Sequence, residues 1–144
     1  MTDGKKNEYL RMFGNYVKYL RSQKGWSQEE LATRCGYTSD SRKSTINKIE
    51  AGKSDLPASK IRTLASVLGV APSDLIDPPS DARDRILICE LFERCHGKEA
   101  YQMVSQFLGL DDTDQKIIYG EIKGLLLSEK YKKDTESQNG TGSA

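Results

Sequence analysis

Between Arg42 and Lys53 five polar or basic side chains, Arg42, Lys43, Ser44, Asn47 and Lys48, are set around two isoleucines, Ile46 and Ile49. On a helix the isoleucines share one face and the polar residues take the other. Arginine and lysine can donate to guanine O6 and N7, asparagine can bond to adenine N6 and N7, and serine can act in either role. The chemistry implied is hydrogen bonding to base edges in duplex DNA. Contacts to phosphate suit helix starts and loops, where unpaired backbone N–H groups point outward. Gln28, directly after Ser27, and Lys53, directly after Gly52, hold such positions. Arg42 or Lys43 can serve a phosphate in place of a base.

These residues need elements that hold them. Leu10, Phe13, Val17 and Leu20 recur at helical spacing, which predicts a first helix from about Glu8 to Lys24, stopped by Gly25. Ser27 with Glu30 three residues later forms a capping box, and Trp26 with Leu31 suits a hydrophobic staple, so a second helix begins sharply and ends near Cys35, with Gly36 left-handed after it. The third helix carries Ile46 and Ile49 inward and ends at Gly52. Ile61, Leu64, Ala65 and Leu68 define a fourth, stopped by Gly69, and Pro72 opens a short fifth through Leu75 and Ile76.

Asp77-Pro78-Pro79-Ser80 cannot continue a helix and predicts a domain boundary. Three more helices are expected beyond it: about Asp81 to Cys95 with Ile86, Leu87, Leu91 and Phe92; Lys98 to Leu108 with Tyr101, Val104, Phe107 and Leu108; and one capped by Asp112 or Thr113 that runs to Tyr131 with Ile117, Ile118, Ile122, Leu125, Leu126 and Leu127. The fold class expected is all-α. Residues 8–77 form the DNA-binding domain, 80–131 a helical region for dimerisation or interaction, and 132–144 a disordered polar tail. On this division a cut after Pro79 is expected to leave a folded monomer.

The 144 residues carry a net charge of +1, so a generally basic coat is excluded. The distribution is uneven: residues 1–78 hold 13 Lys and Arg against 9 Asp and Glu, and residues 79–144 hold 9 against 12. The positive excess lies with the candidate base-reading helix. No apolar run approaches the roughly 20 residues of a membrane span and the N-terminus lacks a signal-peptide pattern, so a soluble, cytoplasmic protein without membrane association is expected. Three cysteines argue against a disulfide framework. Cys89, Cys95 and His96 lack the paired spacing and fourth ligand of a zinc site, so they read as free thiols and an unligated imidazole, and no cofactor is expected.

The segment from Phe13 to Ile76 resembles the five-helix DNA-binding domain of the Xre and phage lambda repressor-like family. Gln28, Gly36, Ile46-Asn47-Lys48-Ile49-Glu50-Ala51-Gly52-Lys53 and Leu68-Gly69-Val70-Ala71-Pro72 carry the resemblance. It implies base contacts from Lys43, Ser44 and Lys48 with Asn47 close by, a phosphate contact from Gln28, and an ion pair between Arg21 and Glu50 that braces the third helix against the first. One departure stands out. Tyr37 to Thr45 is longer than the compact turn of the family, so either the turn bulges or the third helix starts earlier, with Ser39, Asp40 and Ser41 as candidate caps.

A domain of this size reads only a few base pairs, so two half-sites and a homodimer are expected, with the helix from Thr113 to Tyr131, together with the two helices before it, supplying the interface. The function implied is a sequence-specific transcriptional regulator, a repressor on a palindromic operator. A different class is an antitoxin-type protein-interaction module that binds a partner through its C-terminal helices and represses its own operon. An enzyme is not expected: no nucleophile stands beside a base and an oxyanion donor, and Ser105 and Ser128 read as exposed helix residues.

Overall fold

A computed structural model of the chain describes residues 2–132. Every regular element among them is a helix: α1 Asp3–Gln23, α2 Gln28–Arg34, α3 Arg42–Glu50, α4 Ala58–Leu68, α5 Pro72–Ile76, α6 Ser80–His96, α7 Lys98–Gly109 and α8 Asp112–Leu126. The polar tail expected to be disordered lies outside the described residues from position 133 onward. The chain divides into two compact units, Met1–Gly109 and Leu110–Ala144.

In the first unit α1 is the spine. It starts at Asp3, earlier than its apolar spacing suggests, because Thr2 caps it by accepting from the Lys5 N–H and the added turns are exposed. Its buried residues are not confined to the stripe of Leu10, Phe13, Val17 and Leu20, since Tyr16, Tyr19 and Ser22 are buried as well. The helix touches α3, α4 and α5, and also α6 and α7, so more than one face is covered.

One core follows from this. Phe13, Val17, Leu31, Ile46, Ile49, Leu64 and Leu75 belong to the same buried cluster as Ala82, Ile86, Cys89, Tyr101 and Val104. The cluster continues across Asp77–Ser80, where sequence reasoning places a domain break. Pro78 is itself buried, and Arg83 ties the link down by donating to the Pro78 carbonyl (3.0 Å) and to Asp77 Oδ1 (2.6 Å).

The face that α6 turns to the core differs from its most apolar residues. Ala82, Ile86 and Cys89 are buried, whereas Leu87, Leu91 and Phe92 are exposed, Leu87 by 55%. Ile86 is the one large apolar side chain on the buried side, beside the smaller Ala82 and Cys89, and Leu87, Leu91 and Phe92 are left outside. Ser105 on α7 corrects the reading of an exposed serine: it is fully buried and its Oγ lies 2.7 Å from Ser22 Oγ.

In the second unit, α8 is capped by Asp111, whose carboxylate accepts from the Asp114 N–H at 2.8 Å. It stops at Leu126, short of Tyr131, where the N–H groups of Leu127 and Ser128 bond three residues back. None of its residues is buried, and Ile117, Ile122, Leu125 and Leu126 are exposed along with Leu127.

Candidate nucleic-acid interface

Ser27 caps α2 through the Glu30 N–H at 3.0 Å, and the Glu30 carboxylate accepts from the Ser27 N–H, the reciprocal pair expected of a capping box. The segment between α2 and α3 spans residues 35–41, and α3 begins at Arg42, directly after the candidate caps Ser39, Asp40 and Ser41. Ser41 precedes it without capping through its side chain; the turn is closed by Arg42 N–H to Ser39 O (3.2 Å) and by the contact of Ser39 Oγ with Ser41 Oγ (3.0 Å). α3 ends in a Schellman motif, with Lys53 N–H bonded to Lys48 O and Gly52 N–H to Ile49 O. Gly52 takes φ +73° there, and a Cβ would lie 3.0 Å from the Arg11 Cα, so glycine is required on both counts.

Ile46 and Ile49 seat α3 in the core and are almost wholly inaccessible. Lys43, Ser44, Asn47 and Lys48 are exposed, and their side chains make no hydrogen bond or ion pair among the described residues. The helix therefore presents an uncommitted row of donors and acceptors on a fixed mount. Lys53 is exposed beside it.

A buried ionic hub stands behind that row. Arg21 Nε donates to Glu50 Oε2 at 2.6 Å and Nη2 to Glu50 Oε1 at 3.0 Å, while Nη1 reaches the Trp26 carbonyl at 2.7 Å. Gln28 Nε2 donates to Glu50 Oε1 at 3.1 Å. The last turn of α1, the start of α2 and the end of α3 are thus joined through one carboxylate. Among the described residues one of the two Gln28 amide hydrogens is used, which leaves the other and the amide oxygen available.

Arg42 stands apart from the other candidates. It pairs with Glu29 across the turn and donates from Nη1 to Ser39 O, and its buried Nε has no partner among the described residues. Its guanidinium links α2 to α3.

Two contributors escaped sequence reasoning. Glu29 carries no signal on its own, since pairing with Arg42 depends on a turn whose path the sequence leaves open. Gly14 does leave a signal, as an isolated glycine within a helical pattern. A Cβ there would sit 2.3 Å from the Ile49 carbonyl oxygen and 2.7 Å from that of Glu50, so α1 and α3 cross backbone to backbone at this point.

A capped helix, a turn and a second helix with one seated side and one open polar side define a helix-turn-helix, carried on a five-helix unit with two further helices packed against it. Residues 17–75 match the helix-turn-helix family model, so this segment is similar to the domains of that family. The chain is 35% identical over 65 residues to a hypothetical transcription factor of Neisseria meningitidis serogroup B. That alignment covers 45% of this chain and 58% of the relative, so the chain spans less than two thirds of the relative's length. No solved structure matches the chain. No helix among the described residues is long and apolar enough to cross a membrane.

Proposed function

We propose that the chain is a sequence-specific double-stranded-DNA-binding transcriptional regulator, a repressor that acts in the cytoplasm as a homodimer on a palindromic operator. It works by occupying DNA and carries out no catalysis. The observation that carries this reading is the exposed row Lys43, Ser44, Asn47 and Lys48, unpaired among the described residues, on a helix seated by Ile46 and Ile49. Those four side chains take the base edges of the major groove. Gln28 and Lys53 take phosphates on either side and fix register. Arg42 joins the backbone set only by exchanging Glu29 for a phosphate, because its guanidinium is already paired.

Two half-sites one helical turn apart, about 34 Å, give a pair of such units useful discrimination. Support for the pairing comes from α8, whose isoleucines and leucines are all exposed, as contiguous apolar surface at protein–protein contacts is. The same observation favours a second reading, in which α8 docks on a different protein in the manner of an antitoxin. Co-purification of a second polypeptide in fixed ratio supports that reading, and a chain that elutes alone at twice its monomer mass supports the homodimer.

The direct test is selection of duplexes from a random pool by the full chain at low salt. Enriched sequences with two inverted half-sites spaced by about one turn are expected. A pool that shows no enrichment and no retention of any duplex overturns the proposal.

A further inference from the structure

A cleft of about 480 Å³ opens beside α3 within the first unit. Its lining includes Lys43 and Asn47 from α3 and Lys98 and Gln102 from the start of α7. Lys18, Arg21, Glu50 and Glu93 complete its charged lining. Glu50 is taken by Arg21 and Glu93 by Lys18, the latter at 2.9 Å. Lys43 and Lys98 remain without a partner among the described residues, so the lining keeps an uncompensated charge of two cations. Glu99, the neighbour of Lys98, does not line it.

The α7 wall is fixed in place. Ser22 and Ser105 meet through a buried hydroxyl contact at 2.7 Å, Gln106 Nε2 donates to the Ser22 carbonyl at 3.3 Å, and Lys18 Nζ lies 4.3 Å from the centre of the Tyr101 ring. The fold itself gives no reason for a cation at position 98. Lys98 stands in the first turn of α7, where the positive end of the helix opposes its charge.

From these observations we propose that α7 supplies a second backbone contact for DNA: Lys98 and Gln102 hold a phosphodiester of the strand that borders the groove entered by α3. This rests on the proposed DNA binding and extends it beyond the helix-turn-helix. Charge complementarity and the continuity of this wall with the row of Lys43 and Asn47 select the DNA backbone as the occupant. Contacts of this type position the duplex and read no bases.

The test compares the full chain with Lys98→Gln and Gln102→Ala on a duplex selected from the random pool and on an unrelated duplex, between 50 mM and 200 mM salt. Both variants are expected to weaken the two complexes by the same factor. For Lys98→Gln the slope of log affinity against log salt shrinks by about 1, so the loss across this range is about three- to fourfold smaller than for the parent. Its melting temperature stays level or rises, which separates a lost contact from a damaged fold. Parent-like affinity and slope in Lys98→Gln, together with a loss in Lys48→Ala confined to the selected duplex, overturn the α7 contact and leave the reading by α3 intact. An effect of Lys98→Gln on one duplex only makes position 98 a base reader and overturns the backbone assignment. A parent chain that binds neither duplex removes the proposed function and this contact with it.

Discussion

Glu50 is 5% exposed at its side chain and accepts three hydrogen bonds, two from Arg21 and one from Gln28. Removing one partner of a buried pair strands the other charge, at a cost of about 3–5 kcal/mol, whereas replacing both by apolar groups is often close to neutral. Glu50→Ala is therefore expected to lower the stability of the chain by about that amount in urea unfolding, and Arg21→Met combined with Glu50→Leu to recover most of it. The pair was implied by the resemblance to the Xre and phage lambda repressor-like family. Its third member was not, because Gln28 read as a phosphate ligand gives no sign of also serving the hub. The thiols show the same limit. Three cysteines on a list look alike, yet burial pushes the Cys89 thiol up to about 11, with Glu90 adding to the shift, while Cys95 is exposed. Alkylation of the native chain at neutral pH is expected to label Cys95 and spare Cys89, and mass mapping of the modified peptides checks it.

At the scale of the elements, the close crossing of α1 over α3 sets where the reading helix lies. In an open helix, glycine to alanine gains about 1 kcal/mol. At Gly14 the added methyl meets two backbone carbonyls that cannot rotate away, and overpacking of this kind costs about 1–3 kcal/mol or more. Gly14→Ala is expected to be destabilising on balance, seen as a lower melting temperature, and to weaken operator binding although position 14 touches no DNA. Changes on the reading helix itself separate by DNA rather than by stability. Lys48→Ala or Asn47→Ala should cost about 1–3 kcal/mol on the selected duplex and much less on random sequence, whereas Gln28→Ala should weaken both and keep their ranking. Competition binding with the two duplexes decides each case. Helix identity and caps were readable here because Ser27, Gly36, Gly52 and Gly69 fix chain reversals locally. The start of α1 was not, since its first turns are exposed and carry no apolar period.

At the scale of the whole molecule, the first compact unit is larger than the helix-turn-helix. Two prolines in succession interrupt a helix, and sequence reasoning equates that with the edge of a domain. The interruption is real, yet the buried cluster runs through it, because α1, with Tyr16 and Tyr19 buried, packs against α6 and α7 as well as α3 to α5. Only the tertiary structure reveals this packing, as the apolar period of α1 points to a single face. Each well-buried apolar side chain contributes about 1.5–3 kcal/mol, against a total stability of about 5–15 kcal/mol for a small domain. A chain ended after Gly109 is therefore expected to melt cooperatively near the temperature of the parent. One ended after Pro79 should melt well below it, and circular dichroism during heating compares the two. If α8 holds the homodimer together, the Gly109 form sediments as a monomer, and the loss of operator affinity it then shows reflects a missing second copy.

Because Pro78 is buried and Arg83 clasps the residues on its N-terminal side, continuity of the peptide and integrity of the particle are separable at this spot. A single hydrolytic nick between Asp77 and Ser80 would yield two fragments on a denaturing gel. In native solution they would stay lodged in each other, with the reading helix still on its mount.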